Sequence, residues 1–107
     1  EDLVVYKIED EMTIPLAKGD DGESHFCLVS VSLSLNSKDD DYEKYGTTIA
    51  DKEDLIKGEI NAVIGSHTLE EAAANQDILR EEILEKIRKM YNSDFVYNVV
   101  FREIVFQ

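Results

Sequence analysis

The chain has 107 residues, 43% of them hydrophobic, which is enough for one folded domain with an apolar core. Its 24 acidic residues outnumber 11 basic ones and give a net charge of -13. This balance argues against nucleic acid and against an anionic membrane surface as partners, since both need clustered lysine and arginine. The single cysteine excludes an internal disulfide, and no run of about 18 apolar residues is present to span a membrane.

The first third of the chain predicts strands joined by turns. Residues 3–6 are apolar and fit either a strand or a turn of helix, and both readings stay open. Residues 11–16 predict a short strand at a sheet edge or strand end, because Pro15 has no N–H to donate. The Gly and Asp residues of 18–23 predict a turn, which makes a hairpin with a second strand at 25–35.

That second strand has the clearest alternation in the chain. A period of two over this length predicts one face on the core and one open face. The expected core face is Cys27, Val29, Val31, Leu33 and Leu35, and the expected open face is Ser30, Ser32 and Ser34.

A polar loop is expected at residues 36–46, followed by a helix that begins near Asp51. Gly65 is expected to end this helix in the left-handed conformation. The apolar stripe that predicts the helix consists of Ile56, Ile60, Val63 and Ile64.

Two further helices are predicted by their caps. Thr68 and Glu71 have the spacing of a capping box, which opens a short helix at 69–74. Asn75 is expected to cap a longer helix at its N-terminus. The core face of the longer helix is Leu79, Ile83, Ile87 and Met90, and its wet side offers the ion pairs Glu82–Lys86 and Glu85–Lys89.

Residues 95–106 predict a closing strand. Val96, Val100, Ile104 and Phe106 are expected on one side, and Phe95, Tyr97, Val99, Phe101 and Val105 on the other. Because both sides are apolar, the strand is predicted to be central and covered on both faces. Asn98 and Arg102 interrupt the first side and mark either a more exposed stretch or an interface.

Candidate chemical groups are few. His25 and Cys27 are two residues apart, but Cys27 shares the parity of Val29 and is expected to be buried and inert. His67 follows a helix end, where capping is favoured over metal binding. No glycine-rich loop that could hold a phosphate precedes a lysine. The sequence therefore predicts no catalytic residues, no cofactor and no metal.

The acidic loop is the one segment singled out as a possible site. It carries four carboxylates, at Asp39, Asp40, Asp41 and Glu43. The alternating ligand spacing and the glycine of a calcium loop are missing, so a solvated loop is expected. A surface that meets a basic partner is the alternative reading.

The second half of the chain also carries a family pattern. It consists of the isoleucine-rich helix at 56–64, the Ser66-His67-Thr68 turn before Leu69-Glu70-Glu71, the LREEILEKI run at 79–87 and the closing strand that ends in Gln107. Upstream, residues 12–16 and 27–33 look like paired N-terminal strands. In these features the chain resembles the extracytoplasmic C-terminal domain of the flagellar basal-body-associated protein FliL family.

The resemblance implies a stomatin-like α+β fold. It predicts a mixed or antiparallel sheet of about three or four strands, packed against two longer helices and one short helix. It also implies a single FliL-type domain at 1–107, held outside the cell membrane by one membrane helix that follows a short cytoplasmic tail and precedes Glu1.

The function implied is that of a non-enzymatic motor accessory protein. Its expected partners are the flagellar stator proteins, whose torque, swimming or swarming it would support, and copies of itself in a membrane-anchored ring. The acidic loop would then offer a charge match to basic segments of the partner. The alternative is an acidic extracytoplasmic inhibitor or sensor domain unrelated to motility.

Overall fold

The structure is a computed structural model that describes residues 2–107. Four strands and three α-helices form it, which confirms the predicted α+β class. A π-helical turn at Tyr42–Gly46 and a 3-10 turn at Ile49–Lys52 join the sheet to the first helix. The elements are β1 (Leu3–Lys7), β2 (Met12–Pro15), β3 (Phe26–Asn36), α1 (Glu53–Gly65), α2 (Leu69–Ala74), α3 (Gln76–Tyr91) and β4 (Val96–Phe106).

The long strand β3 organises an antiparallel sheet. Strands β1 and β2 both pair with one edge of β3, one after the other along its length, and β4 pairs with the other edge. The predicted β2–β3 hairpin is confirmed. The segment whose conformation the sequence left open, residues 3–6, belongs to β1 and lies opposite the second half of β3.

The two faces of β3 have the environments that its alternation predicts. Its five apolar core-face residues are buried, and α1 and α3 pack over that side. No helix of residues 2–107 packs over the serine face, although Ser32 is itself buried beneath Arg102. Residues Ile56, Ile60, Val63 and Ile64 of α1 and Leu79, Ile83 and Ile87 of α3 are buried as predicted.

Strand β4 departs from the prediction in position. It is an edge strand paired only with β3 within the described residues, so the expectation of a central strand covered on both faces is wrong. Apolar residues on both sides do not require burial here, because Tyr97, Val100 and Val105 remain exposed.

The faces of β4 were also assigned wrongly, because its register with β3 shifts twice. Each shift adds one unpaired residue to β4, at Tyr97 and at Arg102. An extra residue reverses the alternation beyond it. The residues of β4 that lie opposite the core face of β3 are Val96, Val99, Phe101, Ile104 and Phe106.

The helix ends confirm most of the capping predictions. Thr68 and Glu71 form the capping box of α2, and the Asn75 side chain accepts a hydrogen bond from Ile78 N–H at the start of α3. Gly65 is different: it is the last residue of α1 and has no positive φ. A Cβ there would lie 3.2 Å from Pro15 O, so glycine permits close packing of α1 on β2.

Two hydrogen bonds fix β1 and the residue after it. One joins β1 to the first helix, and the other joins the segment between β1 and β2 to β3. Tyr6 of β1 donates its hydroxyl hydrogen to the Glu53 carboxylate at the start of α1. Burial, together with this bond, raises the pKa of Tyr6 to about 12. Ile8, just after β1, donates its N–H to Val31 O at 3.0 Å, where β1 gives way to β2.

Candidate functional site

The acidic loop leaves β3 and enters the π-helical turn. Asn36, the last residue of β3, accepts hydrogen bonds from Lys38 N–H through Oδ1 and from Asp39 N–H through its carbonyl oxygen. Asp39 then accepts one from Asp41 N–H through Oδ1 at 2.8 Å and one from Tyr42 N–H through its carbonyl. The loop is therefore a hydrogen-bonded turn of fixed shape.

Its four carboxylates differ in what they can offer a partner. The Asp39 carboxylate holds the turn, and both Asp39 and Asp41 are partly buried. Asp40 and Glu43 are exposed. Of the four loop carboxylates, these two present free charge to solvent.

The segment predicted as a polar loop up to residue 46 is fixed by aromatic rings at its far end. Tyr45 packs against Tyr91 and Phe95, with ring centroids 5.4 Å and 6.1 Å away. The ring of Tyr42 lies against Gly46, where any Cβ would collide with it. Aromatic packing therefore turns this part of the loop into a π-helical turn that holds the acidic residues on a rigid base.

His25 and Cys27 do not form a nucleophile pair. Cys27 is fully buried, and burial raises the pKa of its thiol to about 11, so the thiol stays protonated at neutral pH. His25 instead places Nε2 2.8 Å from Asp21 Oδ2 and Nδ1 3.2 Å from Gln107 O. Because both partners are acceptors, two N–H groups suit this site, and the bond to Asp21 raises the pKa of His25.

His67 connects helices and does not use its side chain to cap α1. Its Nε2 lies 2.8 Å from Glu82 of α3, and its Nδ1 lies 3.5 Å from Glu71 of α2. Its backbone N–H bonds to Ile64 O at the end of α1. Glu82 is thus paired with His67, and neither Glu82–Lys86 nor Glu85–Lys89 approaches within 4.0 Å in residues 2–107.

Sequence reasoning predicted the open serine face of β3 but missed the apolar part of this exposed sheet face. Its apolar side chains come from β1 and β4 and flank the serines of β3: Leu3, Val5, Val100 and Val105, with Tyr97 at the first bulge. The serines of β3 did signal an open face. The apolar residues of β4 obscured it, because they suggested a cover that is absent from the described part of the chain.

Arg102 crosses this exposed face. Its guanidinium donates to Val31 O, to Ser32 Oγ at 2.8 Å and to Ile8 O at 2.8 Å. The second bulge of β4 points it across β3 to the gap between β1 and β2. The sequence left two readings open for Arg102, an exposed stretch or an interface. The structure gives it a further, structural role, because its hydrogen bonds tie three strand segments together.

The described residues contain no group of three or more His, Cys, Asp or Glu side chains placed to hold a metal ion. Within the same residues, no helix has both the length and the apolar character needed to cross a membrane. What the surface offers is charge, an open sheet face and hydrogen-bonding groups.

The family model of the flagellar basal body-associated protein FliL matches residues 5–107. The chain belongs to the FliL family. The match covers nearly the whole chain and confirms the resemblance read from its motifs, so this is a flagellar basal-body-associated protein. A search of curated proteins finds no match.

Proposed function

We propose that this FliL-family protein supports flagellar motor output by associating with the stator outside the cell membrane, without catalysing a reaction. The observation that carries the proposal is the family match over residues 5–107, since a flagellar basal-body protein must act through other components of the motor. The buried, protonated thiol of Cys27 fits this role, because it removes the strongest nucleophile from reach.

The proposal includes an arrangement in the membrane. Residues 1–107 would form one extracytoplasmic domain, preceded by a single membrane helix and a short cytoplasmic tail. Confinement to the membrane raises the effective concentration of the copies, which favours their assembly into a ring. A ring is also a way for weak contacts with the stator to act together.

Charge would set the rate of encounter with a basic stator segment, while the fit between the two protein surfaces would set the affinity. In the acidic loop this role falls to Asp40 and Glu43, because their carboxylates are exposed. Asp39 and Asp41 shape the turn that presents them. The loop therefore acts as a positioned negative patch on a chain of net charge -13.

Deletion of the full-length gene tests the function. Swimming, swarming and torque under viscous load should all be measured, and at least one should fall. If all three are unaltered, the proposal is wrong, and a sensor or inhibitor role without motility becomes the better hypothesis.

Charge reversal tests the loop separately. Asp40→Lys with Glu43→Lys should reduce stator association more at low salt than at high salt. The matched control is Asp20→Lys with Glu23→Lys, which makes the same charge change in another exposed turn. Equal loss in both double variants would mean that net charge matters and the loop does not.

A further inference from the structure

The outer edge of β4 is an unused hydrogen-bonding surface. The strand is 11 residues long and pairs with β3 on one side, and no other strand of the described chain pairs with its second side. An open edge presents a row of N–H and C=O groups that can accept another strand. Natural sheets usually shorten, cover or charge such edges, so an edge of this length calls for an occupant.

The start of the edge is already covered from α3. Arg88 donates through Nε to Val96 O at 3.0 Å and through Nη2 to Tyr97 O at 3.4 Å. From Asn98 onward, no other side chain in the described residues bonds to a β4 carbonyl. The uncovered part of the edge therefore runs from Asn98 to Phe106.

The pairing with β3 shows which groups point outward. Phe26 and Gln107 exchange both of their backbone hydrogen bonds, at 2.9 Å and 2.8 Å. In an antiparallel pair, bonded and non-bonded positions alternate. Counting back along β4, Phe106 and Ile104 therefore turn their backbone N–H and C=O away from β3. Phe101 does so as well, because its partner Val31 directs its carbonyl to Ile8 N–H.

Helix α3 runs beside this edge and forms one wall of a groove. Two cavities of about 210 Å³ and 360 Å³, which share Glu81 and Leu84, lie at the Asn98 end of this edge. Besides the shared pair, the smaller cavity is lined by α3 and by Asn98 and Val99 of β4, and the larger one by α3 and by Asp94 of the turn after it. A groove between a helix and an open strand edge is a geometry that adds an extended peptide to a sheet.

The charges of the groove indicate the chemistry of that peptide. Arg80 is paired with Asp77 and lies over the Phe101 ring, and Arg88 is engaged with β4. In the described part of the chain, Glu81 and Glu85 have neither a cation within 4.0 Å nor a hydrogen bond. The free charge at the mouth of the groove is therefore negative and matches lysine or arginine.

The same charges disfavour a β4–β4 pair between two copies of the chain. Pairing β4 with β4 of another molecule would bring Glu81 and Glu85 of both copies to one seam. Like charges at such a position are destabilising. A chain of net charge -13 adds a further long-range repulsion.

We propose that the β4 edge from Asn98 to Phe106, with the facing side of α3, binds an extended segment of a partner protein as an added strand. The segment alternates apolar and basic residues, and its basic side chains reach Glu81 and Glu85. The inference stands apart from the stator proposal, because it concerns the chemistry of the segment and holds whichever protein supplies it.

Synthetic peptides test the inference on the 107-residue chain. The probe is a short peptide of alternating valine and lysine, followed by NMR and hydrogen exchange. It should bind and slow exchange at the amides of Phe101, Ile104 and Phe106. A valine–glutamate peptide should not bind. The valine–lysine peptide N-methylated at alternate residues, which keeps the charge but removes main-chain donors, should also fail.

Two double variants separate the groove from general charge. Glu81→Gln with Glu85→Gln should weaken binding of the valine–lysine peptide about 5-fold at low salt, the size expected for two exposed ion pairs, and less at high salt. Glu59→Gln with Glu70→Gln removes the same charge elsewhere on the helices and should leave binding unchanged.

Three results would overturn the inference. One is undiminished binding of the N-methylated peptide, and another is equal weakening by both double variants. The third is protection of the three edge amides by concentrating the protein alone, because a second copy would then be the occupant.

Discussion

Adjacent valines on β4 give the sharpest test of the fold. Val99 lies opposite Leu33 on the core face and is 3% exposed, while Val100 lies opposite Ser32 on the open face and is 38% exposed. The substitutions Val99→Asp and Val100→Asp are chemically identical and one residue apart. Any difference between them therefore reports which face of β4 is buried.

The expected magnitudes differ by several kcal/mol. At Val99, an aspartate loses about 1.5–3 kcal/mol of apolar burial and places a carboxylate in an apolar site, which costs several kcal/mol more. That sum is comparable with a whole stability of about 5–15 kcal/mol, so the variant should be unfolded. At Val100 the charge stays in solvent, and the cost should be about 1–2 kcal/mol from weaker strand propensity and lost partial burial.

Urea unfolding followed by circular dichroism measures both variants, because the chain has no tryptophan for fluorescence. Val100→Asp should give a cooperative transition with an unchanged slope, and Val99→Asp should give none. The pair Val99→Asn and Val100→Asn repeats the comparison without added charge. If Val100→Asp unfolds the protein and Val99→Asp does not, the two bulges and the face assignment of β4 are wrong.

Three further outcomes follow from named contacts. Arg102→Met should cost about 2 kcal/mol in urea unfolding, because it removes three charge-assisted hydrogen bonds, whereas Arg80→Met should cost under about 1 kcal/mol. In thermal melts across pH, His25→Ala should destabilise most below the ordinary His pKa of 6.5. That difference should vanish as pH rises through the raised folded pKa, or as acid protonates Asp21, whose pKa is lowered by the same bond. Asp40→Ala should change stability by less than about 0.5 kcal/mol.

The parts of the fold that the sequence predicts are those set by local rules. The alternation of β3, the stripes of α1 and α3, and the caps at Thr68 and Asn75 depend on residues close together in the chain. Each signal arises from the geometry of one element, so no knowledge of its neighbours is needed.

Strand β4 shows where such rules end. A bulge is an extra residue in one strand relative to its partner, so it is a property of the pair and cannot be placed from the sequence of one strand alone. With the two bulges at Tyr97 and Arg102, the side-chain parity changes twice along the strand. Because Val100 and Val105 are apolar although exposed, the sequence pattern suggested a strand covered on both faces.

The candidate sites divide in the same way. Exposure of Asp40 and Glu43 follows from composition, but the inward role of Asp39 depends on the turn it closes. His67 meets Glu82 from 15 positions away, so its role depends on how α3 packs. The β4 edge could not be foreseen at all, since an edge exists only once the strand order is known.

The acidic loop lies at the same end of the sheet as the Asn98 end of the β4 edge, so one extended partner can reach both. Asn36 N–H bonds to Phe95 O at 2.8 Å, so the acidic loop leaves β3 beside the first residue before β4. A basic segment in the groove that passed Arg88 would therefore approach Asp40. Reversal of Asp40 and Glu43 would then weaken a peptide long enough to extend past Asn98 and leave a shorter one unaffected. If the reversal weakens binding of the long and the short peptide equally, the loop acts only through the overall electrostatic field of the protein, and the groove alone contacts the peptide.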